Sequence, residues 1–264
     1  MPWRFVVVKQ VRVFTKRGEN VGHQPEVWQI LLANVAVGIG ALIQSGTGFG
    51  LGLVAVPLLI LIDPVFAPGA FLVASLFQNI IMARRNYLGV RREWLSSIVP
   101  GLVAGTFFAF LVLRCLKGPG VELAIGVTIL TAVMISAAGF TLKVTSRRLL
   151  SGASLAGVMG TLAGVPGPPL ILLIQNERGE EIRANLALSF LVGGAFSIAS
   201  LYFAGRFGMF QFCMGLSMIP GILLGASLGG RLSPFLDGPR LRPTLLLLVG
   251  LGGVALVSRN LMGW

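Results

Sequence analysis

The sequence predicts an all-α, polytopic integral membrane protein of about eight transmembrane helices, in two repeated halves with a glycine- and proline-broken helix in each half. Three observations predict this fold: an apolar composition, a series of membrane-length apolar runs, and an internal repeat that includes both breaks. Of 264 residues, 55% are hydrophobic and 11% are charged, whereas soluble domains carry about 25% charged residues. With a mean hydropathy of +0.88, the chain lacks the polar surface of a soluble globule.

The basic residues and the cysteines exclude other classes of protein. The net charge is +12, but the basic residues fall in short clusters between apolar runs, as in the cytoplasmic loops of membrane proteins. We therefore expect no nucleic-acid partner. Cys115 and Cys213 lie among apolar neighbours without the spacing of a metal site, so they are predicted to be buried free thiols. No cofactor and no metal are predicted.

Residues 1–26 differ from the rest of the chain because five basic residues interrupt their apolar ones. No apolar run there reaches the roughly 7–15 residues of a signal-peptide core. The segment is predicted to be a basic cytoplasmic tail. A short amphipathic segment at the membrane surface and a wrongly assigned start codon are the alternatives.

From Val27 onward, apolar runs alternate with short polar connections. The runs lie at 27–62, 66–83, 94–113, 121–142, 149–175, 184–204, 207–230 and 243–258. A helix needs about 20 residues to cross the hydrocarbon core, and six of the runs fit one crossing each. The first and fifth runs are longer, and both contain glycine and proline near their middle.

Lysine and arginine counts predict the orientation. If each run crosses once with the N-terminus inside, the inside segments hold 14 of these residues and the outside loops hold 7. If the first and fifth runs instead dip in and return to the same side, the split becomes 9 against 12. The counts favour eight crossings with both termini cytoplasmic, in the inner membrane.

Three motifs of the first half recur in the same order in the second half. PGLVAG at 100–105 matches PGILLG at 220–225, AFLVAS at 70–75 matches ANLALS at 184–189, and GTGFGLGL from Gly46 matches GVPGPPLI from Gly164. We expect a first membrane repeat at 27–142, a linker loop at 143–148 and a second membrane repeat at 149–264. Four crossings per repeat give parallel halves, and three crossings plus a re-entrant hairpin give inverted halves; the charge counts favour the first.

The helix breakers predict where the two repeats meet. In lipid, unpaired backbone groups are tolerated only inside protein or beside a water-filled cavity. The two broken segments should therefore meet in the interior, where the N–H groups of a new helix start form an anion site without a charged side chain. The candidate substrate-binding residues are Ser45, Gly46, Thr47, Gly48, Gly50, Gly164, Pro166, Gly167 and Pro168.

Helix packing is the alternative explanation of the small residues, and we favour it for PGLVAG and PGILLG. No ionisable residue lies clearly in the middle of a span, since Asp63 and Glu122 lie at span ends. Uncharged polar residues do occur at depth, and interhelical hydrogen bonding and lining of a hydrophilic path are both open for them. These residues are Asn34, Gln44, Gln78, Asn79 and Ser197.

One enzyme-like motif is dismissed. GASLG at 225–229 fits G-x-S-x-G, but a nucleophile elbow needs a strand–turn–helix context and a histidine partner. The single histidine of the chain, His23, lies in the predicted tail. The sequence therefore predicts no catalytic residues and no enzyme.

The first half contains GTGFGLGLVAVPLL and the second contains AGVPGPPLILL, and each is followed by its AFLVAS-like and PG-x-x-x-G segments. With these motifs the chain resembles the TauE/SafE-type sulfite exporters over residues 28–262. The resemblance implies movement of small sulfur-containing or organic anions, such as sulfite, sulfoacetate or thiosulfate, across the bacterial cytoplasmic membrane, usually outward. The family's glycine and proline segments fall on 46–50 and 164–169. The second copy departs from the usual pattern because it has fewer glycines.

Two functions follow as hypotheses. The first is a permease for a small anion in the lipid bilayer, and the second is a non-transporting scaffold or assembly subunit whose glycines only pack helices. A transporter needs the broken segments to converge on a polar space, whereas a scaffold would fill that space with side chains. The sequence leaves a homo-oligomer open.

Overall fold

The structure is a computed structural model that describes residues 24–116, 119–137 and 143–236. Within these ranges every regular element is helical, which confirms the all-α class. Most of the predicted tail, with His23, lies outside the described residues, and so does the last apolar run at 243–258. The side chain of Glu122 is likewise outside them.

Ten α-helices and two short 3-10 turns make up the described part of the chain. The helices are α1 Val27–Thr47, α2 Leu51–Ile62, α3 Gly69–Arg85, α4 Arg92–Cys115, α5 Pro119–Ala137, α6 Ser146–Ala163, α7 Gly167–Ile174, α8 Gly179–Phe203, α9 Met209–Ser217 and α10 Ile219–Leu236. Four stretches here are long and apolar enough to span a membrane: Val27–Thr47, Arg92–Cys115, Gly179–Phe203 and Met209–Gly229. The count of about eight crossings is not confirmed. The boundaries of the two repeats stay predictions, and α6 begins three residues before the predicted repeat start at 149.

Both predicted helix breaks are present, and glycine makes each of them. α1 ends because Gly48 adopts a left-handed φ of 88°, and its N–H donates to the Gln44 carbonyl at 2.8 Å. Gly50, with φ 115°, precedes the start of α2. In the second half Gly164, with φ 71°, ends α6. Glycine takes up this conformation without the steric cost that other residues bear.

After each break the chain turns back along the helix it has just left. The Nε2 of Gln29, near the start of α1, donates to the carbonyl of Ile62, at the end of α2, at 3.3 Å. A Cβ added to Gly40, midway along α1, would lie 2.9 Å from the carbonyl oxygen of Leu51, at the start of α2. α1 and α2 therefore form an antiparallel hairpin.

α6 and α7 form the second hairpin. A Cβ on Gly160 would lie 3.1 Å from the Cβ of Pro166, and one on Gly152 would lie 2.7 Å from the Cδ1 of Leu173. The preference for a single crossing by the first and fifth runs is therefore wrong. The charge counts failed because more than a third of the 14 favourable residues belong to the tail.

The packing of the helices is that of inverted halves. α3 and α8, which carry the matched AFLVAS and ANLALS motifs, run antiparallel, since Asn86 bonds Arg183 at one end and Leu76 packs on Gly194 further along. α1 packs in parallel on α10, and α4 packs in parallel on α6. Each first helix of a half thus pairs with the late helix of the other half.

The PGLVAG and PGILLG motifs hold these two pairs together. Any Cβ on Gly101 or Gly105 would collide with the backbone carbonyls of Leu150 and Ser154 on α6. In the same way, Gly221 and Gly225 press against the carbonyls of Asn34 and Gly38 on α1. The packing interpretation of both motifs is confirmed.

Asn34 adds an interhelical hydrogen-bond pair to this contact. Its Nδ2 donates to the Ser217 carbonyl at 2.9 Å, and its Oδ1 accepts the N–H of Gly221 at 2.8 Å. Asn34 therefore makes interhelical hydrogen bonds, which is one of the two roles that the sequence left open for it.

The outer surface of the bundle is apolar, as a surface in lipid must be. Phe107 and Phe108 on α4 are 60% and 58% exposed, and Leu224 on α10 is 64% exposed. Cys115 and Cys213 are also exposed, so the prediction of buried thiols is wrong. In a membrane protein apolar neighbours do not imply burial, because lipid tails are as apolar as a protein core.

Candidate functional site: a cavity between the two helix breaks

The two breaks touch each other through their backbones. The Cα of Gly52, in the first turn of α2, faces the carbonyl of Gly164 so closely that a Cβ there would collide with the oxygen. Gly167, which begins α7, lies between Phe49 and Phe190, and a Cβ on it would be 3.5 Å from the Cβ of Phe49. The predicted meeting of the broken segments is therefore present.

A cavity of about 40 Å³ lies where the breaks meet. A site for one water needs roughly 10–15 Å³ of such space, so this cavity has room for a few waters or one small oxyanion. The broken segments contribute Phe49, Gly50, Leu51, Gly52 and Leu53 from the first half and Gly164, Val165, Pro166, Gly167 and Pro168 from the second. The remaining lining comes from α1, α3, α4, α6 and α8.

The helix starts at the cavity supply unequal numbers of backbone donors. The first turn of a helix leaves its N–H groups without partners inside the helix. In α2 these belong to Leu51, Gly52 and Leu53, since Val54 already donates to the Gly50 carbonyl. In α7 the second and third residues are Pro168 and Pro169, which carry no N–H. The positive end of α2 is therefore the richer donor.

Uncharged polar side chains complete the lining. Gln44 donates through Nε2 to the Oδ1 of Asn79 at 2.8 Å, and both side chains are buried. Ser197 shares a 2.8 Å hydrogen bond with Thr161. Of the residues expected at depth, Gln44, Asn79 and Ser197 line the cavity and also bridge helices. Gln78 instead bonds Ser45 and the Ala41 carbonyl.

Two serines that the sequence interpretation missed line the cavity from opposite halves. Ser75 and Ser189 are the last residues of the repeated AFLVAS and ANLALS motifs, and both side chains are buried. Each hydroxyl donates to a carbonyl of its own helix, Ser75 to Leu72 at 2.8 Å and Ser189 to Asn185 at 2.6 Å. The repeat itself was the signal, because a symmetric pair of polar residues in inverted halves faces a shared site.

The predicted site residues divide into two groups. Five of them line the cavity, namely Gly50, Gly164, Pro166, Gly167 and Pro168. The other four, Ser45, Gly46, Thr47 and Gly48, form the end of α1 and the first break but are not part of the lining. A binding role for any of the nine stays a prediction.

Local hydrogen bonds explain why the second group stays out of the cavity. The Oγ of Ser45 accepts from Gln78 at 3.0 Å, and the hydroxyl of Thr47 lies 2.6 Å from the Phe49 carbonyl, closing the turn of the break. These hydroxyls hold the break in shape instead of facing the cavity.

One charged side chain lies against the first break without lining the cavity. Arg183 of α8 donates through Nη1 to the Gly46 carbonyl at 3.3 Å and through Nε to the Oδ1 of Asn86 at 3.1 Å. The lining of the cavity itself contains no charged side chain. Among the described residues, the positive potential inside the cavity therefore comes from backbone dipoles.

With this geometry established, comparisons with known proteins give the family. Residues 32–256 match the family profile described as sulfite exporter TauE/SafE. The chain belongs to the TauE/SafE sulfite exporter family. A curated relative is the probable inner membrane transporter protein TsaS of Comamonas testosteroni, 30% identical over 111 residues, which are 41% of this chain and 46% of that protein. This match spans about half the length of the relative. No solved structure matches.

Membership of the TauE/SafE family confirms the resemblance found in the sequence and agrees with the prediction of a membrane protein that is not an enzyme. The matched region contains both breaks, the second hairpin, the first hairpin from residue 32 onward and every residue that lines the cavity. The glycine and proline segments that the resemblance placed at 46–50 and 164–169 lie at the two breaks. In this TauE/SafE protein the segments that meet at the cavity thus lie inside the region that matches the family.

Proposed function

We propose that this protein is an inner-membrane permease that carries a small anion, and that the anion binds in the cavity between the two helix breaks. The observation that carries the proposal is the convergence of both breaks on one cavity, with the first-turn residues of α2 in its lining. Backbone N–H groups at a helix start are a common anion site. The membership of the TauE/SafE family supports the same conclusion.

The chemistry of the cavity favours a small oxyanion. Sulfite, thiosulfate and the sulfonate group of sulfoacetate present several acceptor oxygens, and the helix start of α2 offers backbone N–H donors to them. An isolated charge is costly to move from water into protein, and the α2 dipole offsets part of that cost. The small volume, about 40 Å³, favours sulfite or one sulfonate head over a larger anion.

Inverted halves suit alternating access, in which one half rocks against the other around a central site. The cavity lies between α3 and α8, the antiparallel pair from the two halves. We infer outward transport as in the exporters that name the family. No ionisable side chain lines the cavity, so a proton-coupled step at this site is not part of the proposal.

The scaffold alternative predicts a filled interior, and the cavity is the observation that favours transport. It also gives the experiment. Ser189→Leu places an apolar side chain in the cavity, and Ser227→Leu places the same side chain on the exposed face of α10, where Ser227 bonds only its own helix. Both variants are reconstituted in liposomes beside the wild type, with and without a pH gradient.

We expect wild type and Ser227→Leu to release loaded sulfite, thiosulfate or sulfoacetate, and Ser189→Leu to lose at least about 90% of that flux, since a tenfold change needs only about 1.4 kcal/mol. A wild type that moves none of these anions, while folded in the membrane, would support the scaffold. Equal flux in all three proteins would remove the cavity from the transport path.

A further inference from the structure

We propose that Arg183 is a positioning and selectivity residue that draws the anion into the cavity from one end of the protein only. The proposal rests on the permease function above and adds a residue outside the glycine and proline segments at 46–50 and 164–169. It assigns the two ends of the transport path different charges.

Arg183 is a half-buried cation that has no carboxylate partner among the residues the structure describes. The acidic residue closest to it in sequence, Glu181, is engaged by Arg91 in an ion pair of 3.0 Å. Arg183 uses two of its five N–H groups, in the bonds to Gly46 and Asn86. The other three, including both on Nη2, remain for a ligand.

Two glycines leave space for the Arg183 side chain beside the first break. A Cβ on Gly48 would lie 3.1 Å from the Cγ of Arg183 and 3.2 Å from its Cα, so only glycine fits comfortably there. A Cβ on Gly179 would lie 3.1 Å from Nη1, so the absence of a side chain leaves space beside the guanidinium. Gly50, two residues after Gly48, already lines the cavity. The side chain of Arg183 thus lies against the break, two residues along the chain from the cavity lining.

The internal repeat shows that this charge has no counterpart in the other half. Arg183 directly precedes ANLALS, and the residue that directly precedes AFLVAS is Gly69. Because the halves are inverted, Gly69 lies toward the opposite end of the bundle, where it packs beside Phe207 and Gln211. One mouth of the path therefore carries a guanidinium and the equivalent position at the other carries no side chain.

A purely structural role for Arg183 is also available. Its bond to the Gly46 carbonyl places a cation at the C-terminus of α1, which stabilises a helix by interaction with its dipole. Loss of stability in a variant would therefore not distinguish the two roles. The test needs measurements that a helix cap would not change, namely the half-saturating anion concentration, its dependence on salt, and rescue by another cation.

The experiment compares Arg183→Gln, which keeps a donor for the Gly46 carbonyl, with Arg183→Lys, which keeps the charge. Arg178→Gln is the matched control, because Arg178 lies at the same end of α8 but is exposed. Initial flux into proteoliposomes is measured against sulfite and thiosulfate concentration at about 20 mM and about 500 mM ionic strength, and thermal stabilisation by each anion is measured in detergent.

We expect Arg183→Gln to raise the half-saturating concentration about tenfold at low salt, as the loss of a charge-assisted hydrogen bond predicts, with the maximal rate changed much less. Arg183→Lys should recover most of the affinity, and the difference between wild type and Arg183→Gln should shrink at high salt because salt screens a charge near solvent. Arg178→Gln should behave as wild type.

Equal half-saturation in wild type and Arg183→Gln, with wild-type flux intact, would overturn the role of Arg183 and leave the permease function standing. A drop in maximal rate and thermal stability alone, with unchanged half-saturation, would identify Arg183 as a helix cap. Absence of flux in the wild type would instead overturn the proposed function. The stabilisation of wild type by the anions, lost in Arg183→Gln, gives a binding result that does not depend on flux.

Discussion

Gly52 and Gly167 begin the two half-helices, and the space around their Cα atoms differs. At Gly52 a Cβ would collide with the carbonyl oxygen of Gly164, which is backbone and cannot rotate away. At Gly167 the nearest atoms are side-chain carbons of Phe49 at 3.5 and 3.6 Å, an ordinary van der Waals contact. The glycines of the breaks therefore have different roles, one holding the breaks together and one bordering the cavity.

We therefore expect Gly52→Ala to lower the stability of the folded protein by about 1–3 kcal/mol, the usual cost of overpacking, whereas Gly167→Ala should change it by much less. The midpoint of thermal unfolding in detergent, followed by aggregation, compares the two variants. Equal midpoints would show that the close contact between Gly52 and Gly164 is absent.

At the scale of elements, the two hairpins decide what the breaks can do. α2 has 12 residues and α7 has 8, so neither crosses a hydrocarbon core of about 30 Å at 1.5 Å per residue. Each half-helix instead starts at the cavity and returns along its partner helix. A helix that spans the membrane begins at the membrane surface, whereas these short helices begin in the interior of the protein.

The hairpin of α1 and α2 predicts a specific cross-link. In a protein whose native cysteines are replaced, Gln29→Cys with Ile62→Cys should be joined by a short bismaleimide reagent, because the Gln29 side chain reaches the Ile62 backbone. Thr47→Cys with Ile62→Cys is the control, since Thr47 lies at the opposite end of α1, about 27 Å from Gln29 along the axis. Mass spectrometry of the digested protein detects the link. Absence of the Gln29–Ile62 link, in a protein that is folded in the membrane, would indicate a chain that continues onward after the break.

For the molecule as a whole, the hairpins change which loops lie on the same side of the membrane, and so they change the orientation that the basic residues predict. With both long runs returning to their own side, the described residues place Arg114 and Arg206 at the end that carries the start of α1 and ten lysines and arginines at the end that carries Arg183. We infer that the Arg183 end faces the cytoplasm, which reverses the orientation expected from single crossings. An exporter would then meet its anion first at the cationic mouth.

This orientation is tested with single cysteines at two exposed loop positions. Arg178→Cys should react with a membrane-impermeant maleimide in inside-out vesicles and stay protected in intact spheroplasts, and Gly205→Cys, at the opposite end of α8, should do the reverse. Labelling of Arg178→Cys in intact spheroplasts would restore the original expectation of cytoplasmic termini.

The sequence by itself determined the membrane class, the positions of both breaks and the motifs that pack the helices. These are local properties. An apolar composition indicates a surface that faces lipid, and a glycine in the left-handed conformation ends a helix independently of distant contacts. Ser75 and Ser189 were also within reach of the sequence, because the repeat pairs them, but only their shared cavity shows that they face a site.

The tertiary structure alone decided the direction of the chain after each break, the inverted arrangement of the halves and the place of Arg183. Contacts between residues far apart in sequence fix all three, such as Gln29 with Ile62 and Asn86 with Arg183. Lysine and arginine counts could not replace these contacts. The counts are summed over loops, and the side of the membrane on which each loop lies depends on whether the chain turns back at each break. The chain specifies where its helices must stop, and packing between them specifies where they go next.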